Sequence, residues 1–241
     1  MSAFLAGLGV FLIGLSKAGF ATGLGMLSTP LVAQAFPARQ AVGLTLPLLC
    51  LADVFTLAVY WRQWDWRLVK APLVGTFFGI LAATGLVTAI SDAVLRRSIG
   101  VVGLVLTLLL LVRNRWHPDH VYRPSAMAGI AVGCAAGFAS AIAHAAGPIL
   151  ALYLLAQRVE KRVFVASSGL FFAANNLMKL PPYVRAGLID ATTLHLALGF
   201  AVLIPAGIAA GWLANRHIPQ KHFDAVVTVL MLVTSAHLCF G

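Results

Sequence analysis

Few charged side chains interrupt the long apolar runs of this chain, and those few are the first candidates for chemistry. Lys17 is the only cationic side chain among the first 38 residues, and Asp53 is the only acid well inside an apolar run. A charge at the depth of a bilayer costs at least about 2.5–3.5 kcal/mol, so an intramembrane charge is functional by default. Lys17 therefore predicts a cation that faces a bound anion, unless it lies near the surface and extends its ammonium to the lipid headgroups.

Asp53 allows two interpretations. As a buried acid it could carry a coupling proton, or it could pair with a buried cation and serve folding alone. At the corresponding place in the second half of the chain stand Asn175 and Asn176. Their amides can donate hydrogen bonds to an oxyanion without carrying a charge. Their alternative role is hydrogen bonding between helices.

Further polar residues occupy the second half. His144, when protonated, is an anion ligand and a second candidate for proton coupling; when neutral, it hydrogen-bonds between helices. Lys179 is either a cation of the site or an interfacial anchor. Ser140 precedes His144 by four residues, so on a continuous helix the two could form the nucleophile and base of an intramembrane hydrolase. Ser167 and Ser168 offer hydroxyl donors, which are common in packed membrane helices.

Two glycine-rich stretches, at 14–25 and 133–148, each lead into a proline. Glycines there predict a broken helix, and the free N–H groups at the start of the next half-helix form an anion site together with the helix dipole. The alternative is close packing of helices through glycine. The broken stretches contribute five further candidate binding residues: Gly19, Thr22, Gly23, Gly25 and Gly147.

Composition defines the class of protein. Of the 241 residues, 61% are apolar and only 10% are charged, whereas a soluble domain is about 45–50% apolar and about 25% charged. This excludes a water-soluble enzyme or nucleic-acid binder and predicts an all-α integral membrane protein. The formal net charge of +10 fits basic loops at a membrane surface. Because the three cysteines are widely spaced and no metal-ligand spacing occurs, neither a metal nor another cofactor is predicted.

Short polar stretches divide the chain into ten apolar segments, five on each side of a basic linker at 113–124. The first two segments of each half are shorter than the roughly 17–25 residues of a spanning helix, so we expect broken or re-entrant helices and about 8–10 membrane segments. The segments cover approximately 3–15, 21–36, 41–61, 69–90, 96–112, 125–138, 144–156, 163–180, 190–214 and 223–240.

The two halves match in an ordered series, which predicts an internal duplication. The first membrane repeat covers 1–112 and the second covers 125–241, and together they form one transmembrane domain. Any single correspondence is weak, but the matching residues occur in the same order in both halves. The correspondences pair 19–22 with 137–140, Asp53 with Asn176, and Gly75 and Gly79 with Gly207 and Gly211.

The distribution of lysine and arginine orients the chain. If each short pair of segments enters and returns on one side, eleven of the 17 basic residues share one side and four the other, with Lys17 and Lys179 left within the membrane. The positive-inside rule then places the linker 113–124 in the cytoplasm and both termini outside. Each half has an odd number of segments, so the second repeat is inverted relative to the first, as in many secondary transporters.

Short motifs at 14–25, 46–53, 60–66, 147–148, 161–168 and 175–181 occur in an order that covers nearly the whole chain. In these motifs the sequence resembles the sulfite exporter TauE/SafE family, also called transmembrane sulfur-compound permeases. The resemblance implies a small, multi-pass permease of the bacterial inner membrane, without enzymatic activity, that exports sulfite or an organosulfonate.

Residues and resemblance together predict a secondary transporter whose anion lies near the midplane, between the two broken segments. Lys17 supplies charge, Asn175 and Asn176 bind oxygens, and Asp53 or His144 couples a proton. The predicted partners are the small anion and the lipid bilayer. Glycine-rich helix faces permit a homodimer without requiring one. A passive anion channel and an intramembrane hydrolase remain as alternatives.

Overall fold

The computed structural model describes residues 2–17, 24–113, 123–217 and 220–240, and this part of the chain is all-helical, which confirms the predicted fold class. The helices are α1 (Ser2–Lys17), α2 (Leu24–Ala35), α3 (Ala38–Val59), α4 (Trp66–Ala89), α5 (Asp92–Arg113), α6 (Ala126–Ala143), α7 (Gly147–Ala156), α8 (Lys161–Arg185), α9 (Ala191–Phe200), α10 (Leu203–His217) and α11 (Gln220–Phe240).

Five helical stretches within these ranges are long and apolar enough to cross a membrane. They are α3, α4, α6, α8 and the combined stretch Ala191–Leu213, which includes α9 and most of α10. Shorter apolar helices accompany them at Ala3–Lys17, Gly147–Ala156 and Thr228–Phe240. The chain is therefore a multi-pass membrane protein, and the total of about 8–10 membrane segments stays a prediction.

The predicted segment 190–214 corresponds to the apolar stretch Ala191–Leu213, which consists of two helices rather than one. A turn separates α9 from α10. Across it, the N–H of Ala201 donates to the carbonyl of Leu198, and the N–H of Ile204 donates to the carbonyl of Ala201. Both bonds tighten the helix ends. Pro205 follows in the first turn of α10, and because it has no N–H it cannot continue the hydrogen bonding of α9.

The second glycine-rich stretch stays helical further than the predicted end at residue 138. Helix α6 continues through Gly133 and Gly137 to Ala143. Both glycines face α4, and a Cβ on Gly133 would collide with the carbonyl of Pro72. Glycine is used here for close helix packing, the alternative to helix breaking, and the chain leaves the helix only after Ala143.

Four helix contacts connect the two halves of the chain in the way that the predicted duplication implies. Helix α3 packs on α8, and α5 packs on α11, so equivalent helices of the predicted repeats meet each other. Helix α4 packs on α6 along their glycines, and the equivalent pair, α10 and α1, meets at Gly207 and Gly14. This pattern supports the predicted duplication. It also places α1, α3, α6 and α8 around the polar residues that the sequence singled out.

Candidate functional site

Lys17 and Asp53 form an ion pair between α1 and α3. Lys17 is the last residue of α1, and its Nζ lies 2.6 Å from Oδ1 of Asp53. The second carboxylate oxygen, Oδ2, accepts a hydrogen bond of 2.6 Å from Nδ2 of Asn176 on α8. The Asp53 side chain is 3% exposed and that of Lys17 is 12% exposed. The carboxylate is thus enclosed, while the ammonium keeps an open side.

A second lysine, Lys179, is fully buried on α8. Its Nζ donates to Oγ of Ser140 at 2.9 Å and to the Ser140 carbonyl at 3.4 Å, and it lies 2.7 Å from Nδ1 of His144. The amide of Asn175 donates to the same Ser140 hydroxyl at 2.7 Å. These bonds tie α8 to the end of α6. Because its side chain does not reach the surface, Lys179 does not act as an interfacial anchor.

His144 ends α6 with φ 52° and ψ 34°, a left-handed conformation that is uncommon outside glycine. Its Nε2 lies 2.9 Å from the carbonyl oxygen of Val42 on α3. A carbonyl only accepts, so Nε2 carries the hydrogen and Nδ1 accepts from the Lys179 ammonium. The imidazole is neutral in this arrangement. Both ring nitrogens are engaged, which leaves neither to activate Ser140 as the hydrolase alternative requires.

One cavity of about 120 Å³ lies beside these groups and is bordered by the first turns of two short helices, α2 and α7. Its volume is about ten times what a single water needs, so it can hold a small solute. Phe172 adds an apolar wall, with its ring centroid 5.3 Å from Nζ of Lys17. The polar wall consists of Ser16, Lys17, Thr56, Ser140, His144, Ser168, Asn175 and Asn176.

Two buried polar atoms in this wall have no hydrogen-bond partner in the described part of the chain: Oγ of Ser168 and Oδ1 of Asn175. A buried polar group without a partner costs about 1–3 kcal/mol, and a ligand that bonds it recovers that energy. Turning the Asn175 amide by half a turn lets the Ser140 hydroxyl donate to its oxygen and places Nδ2 where the oxygen stood. Either orientation leaves one polar atom for a ligand.

The structure brings most of the predicted site residues together. Asp53 and Lys179 lie directly behind the cavity wall, bonded to residues that form it. Gly19, Thr22 and Gly23 lie outside the described residues. The predicted residues that border the cavity are Lys17, Gly25, His144, Gly147, Asn175 and Asn176.

The sequence analysis gave Ser168 the same role as its neighbour Ser167, but the structure places the two serines in different surroundings. Ser167 accepts a hydrogen bond of 3.0 Å from the backbone N–H of Asp65, whereas Ser168 faces the cavity. The available signal is the helical period: Ser168, Asn175 and Lys179 follow one another at intervals of seven and four residues, which places them on one face of α8.

The cavity offers polar groups and one cation rather than a set of metal ligands. Its unpartnered atoms are the hydroxyl of Ser168 and the amide oxygen of Asn175, its ammonium is that of Lys17, and the acid Asp53 is enclosed behind the wall. Within the ranges that the structure covers, no three His, Cys, Asp or Glu side chains gather as a metal site would require.

Comparison with known proteins assigns the chain to a family. A family model described as Sulfite exporter TauE/SafE matches residues 6–238, a range that includes every residue around the cavity. No curated protein and no solved structure matches the chain. Members of the matched family are transporters, in keeping with the apolar helices. The protein is a membrane transporter that belongs to the sulfite exporter TauE/SafE family.

Proposed function

We propose that this transporter carries a small sulfur oxyanion, sulfite or an organosulfonate, which binds in the cavity between the first turns of α2 and α7. The cavity itself is the observation that carries the proposal. It combines the ammonium of Lys17, two helix N-termini and the unpartnered polar atoms of Ser168 and Asn175. Family membership supplies the chemical class of the cargo.

The physical fit is that between a charged oxyanion and fixed donors. A helix N-terminus attracts an anion by about 0.3–1 kcal/mol at an exposed site and by up to about 2 kcal/mol at a partly buried one. A hydrogen bond to a charged group adds about 1.5–3 kcal/mol. Gly25 and Gly147 let the backbone approach the ligand closely, because neither residue carries a side chain. The site thus compensates the hydration that a small oxyanion loses on entering.

The arrangement of helices supports alternating access between two inverted repeats. The broken pairs α1–α2 and α6–α7 both border the cavity, and we place it near the midplane of the bacterial inner membrane. In the orientation with the linker 113–124 cytoplasmic and both termini outside, the membrane potential drives an anion outward at about 2.3 kcal/mol per charge per 100 mV. For an anion that moves without a coupled proton, export is therefore the favoured direction. A homodimer stays a prediction.

Counterflow in proteoliposomes tests the proposal. Vesicles that contain the purified transporter are loaded with sulfite, methanesulfonate, sulfoacetate or taurine, and uptake of the labelled anion is measured. We expect saturable counterflow with at least one of them. The expected loss is at least tenfold for Lys17→Met and for the double variant Lys17→Met/Asp53→Asn. The double variant is needed because the single one leaves a buried carboxylate without a partner.

Lys70→Met is the matched control, because Lys70 is exposed on α4 and does not border the cavity. It should transport like the wild type. Unsaturable flux without counterflow would favour the channel alternative. Full transport by the Lys17→Met/Asp53→Asn variant would contradict an anion site at Lys17.

A further inference from the structure

The ion pair places a carboxylate at the cation that a transported anion has to use. Lys17 borders the cavity, and Oδ1 of Asp53 lies 2.6 Å from its Nζ, the distance of a charge-assisted hydrogen bond. Asp53 itself does not border the cavity and is 3% exposed. Asp53 therefore pairs with the Lys17 ammonium as an internal anion.

Two anionic groups compete for one ammonium when a substrate enters. Like charges that share a site shielded from water favour the protonated form of one of them. A sulfonate is the anion of a strong acid and keeps its charge, so the proton goes to the carboxylate.

We propose that Asp53 takes up one proton when the anion replaces it at Lys17 and releases that proton when the anion leaves. The proposal rests on the proposed function, since both concern the same cavity. In this step the contact between Oδ1 and Nζ breaks, a hydronium ion of the aqueous phase gives its proton to the carboxylate, and the anion forms the new contact with Nζ. No electrons are transferred. Asn176 continues to hold Oδ2.

Among the titratable groups around Asp53, Asp53 is the one that we assign as the proton acceptor of this exchange. Lys17 reaches it from α1, Lys179 acts on it electrostatically from α8, and Cys50 lies one turn earlier on α3. From α6, His144 is engaged by Lys179 and by a carbonyl of α3. Helix α2, which also packs on α3, carries no charged residue. Among these groups Asp53 alone loses a negative charge by taking up a proton.

The coupling between anion binding and proton uptake determines how the affinity for the anion changes with pH. Because anion binding takes up a proton, the affinity for an anion of constant charge rises as the pH falls, by up to about tenfold per pH unit where binding takes up one full proton. Methanesulfonate is such an anion, since it stays fully ionised at these pH values. Replacing Asp53 with asparagine removes the competitor and the proton acceptor together, so affinity becomes higher and independent of pH.

Calorimetric titration of the full-length protein in detergent with methanesulfonate tests the proposal. Titrations at about pH 5 and about pH 8, each in two buffers of different ionisation enthalpy, give both the affinity and the number of protons taken up. At the higher pH we expect about one proton per bound anion for the wild type and for Glu160→Gln, an exposed acid used as control. Asp53→Asn should take up none and should bind at least tenfold more tightly than the wild type at that pH.

The outcomes separate this proposal from the function on which it rests. Binding without proton uptake by the wild type, or proton uptake that persists in Asp53→Asn, overturns the proposal and leaves the anion site intact. Weaker binding by Asp53→Asn than by the wild type at both pH values also overturns it. Absence of binding of both methanesulfonate and sulfite to the wild type contradicts the proposed function itself. Should Asp53→Asn fail to fold, absence of proton uptake by the wild type still overturns the proposal.

Discussion

Removing one partner of the Lys17–Asp53 pair should cost far more stability than removing both. Lys17→Met leaves the carboxylate, 3% exposed, without its counter-ion, and breaking a buried pair in this way costs about 3–5 kcal/mol. Asp53→Asn leaves the ammonium, which is 12% exposed and borders the cavity. Water can reach it there, so we expect a smaller loss of about 1–3 kcal/mol. The double variant replaces two charged side chains by neutral groups of similar size. Its free energy of unfolding should lie within about 1 kcal/mol of that of the wild type.

Reversible unfolding in mixed detergent micelles measures these free energies. The cycle should give a coupling energy of about 4–8 kcal/mol between the two positions, which is the sum of the two single losses when the double variant is as stable as the wild type. Lowering the pH should restore part of the stability of Lys17→Met, because the orphaned carboxylate then takes a proton, and should leave the double variant unchanged. Additive losses, with the double variant less stable than either single one, would refute the interpretation of this contact as a buried charge pair.

Three further predictions follow from other contacts. Ser168→Ala should weaken anion binding about tenfold at unchanged stability, because the Ser168 hydroxyl has no hydrogen-bond partner among the described residues. Ser167→Ala should change stability but not binding, because Ser167 accepts a hydrogen bond from the backbone of Asp65. Equal effects of the two variants on anion binding in a titration would contradict the assignment of Ser168 to the cavity. Gly133→Ala should destabilise the fold by about 1–3 kcal/mol through a collision with α4, while Gly85→Ala, with open space around it, should be neutral or stabilise by up to about 1 kcal/mol. Hydrogen bonds from the start of α9 lower the pKa of Asp190 below its ordinary 3.8, so this cap stabilises α9 above about pH 4 and is lost as the pH falls through the lowered pKa. The protection of the amides at the start of α9, which is their exchange rate relative to that of an unstructured peptide at the same pH, should therefore fall in acid. An Asp190→Ala variant that exchanges like the wild type at neutral pH would contradict the capping role.

The sequence revealed those site residues that stand out chemically from their surroundings. Lys17 and Asp53 were identified because a charge inside an apolar run has few explanations, and both lie at the site. The sequence did not distinguish the roles of Ser167 and Ser168, because these roles differ only in the face of α8 that each serine occupies. Gly133 illustrates a second limit: glycine favours both helix breaks and close helix packing, and the choice depends on α4, more than 40 residues away along the chain.

The helix break at His144 had no reliable local signal. Glycine and asparagine are the usual residues in a left-handed conformation, and histidine adopts it here at the end of α6. Its ring is held by the Lys179 ammonium and by the carbonyl of Val42. These contacts join three helices that are distant in sequence, so tertiary structure stabilises the strained backbone. Only Pro148, in the first turn of α7, marked the restart of the helix in the sequence.

The contact between Asp53 and Asn176 connects the predicted internal duplication to the proposed chemistry of the site. The sequence pairs these two residues as equivalent positions of the repeats, and the structure joins them by a hydrogen bond of 2.6 Å where α3 meets α8. Equivalent positions that meet each other lie close to the axis relating the repeats. An identical pair of carboxylates there would place two negative charges in contact, and one would have to be protonated. With an acid in one repeat and an amide in the other, the amide donates to the carboxylate, and the site keeps a single acid opposite Lys17. If the predicted repeats are related in this way, their difference at this position leaves Asp53 as the one carboxylate at this contact among the described residues, and the proposed proton exchange depends on it.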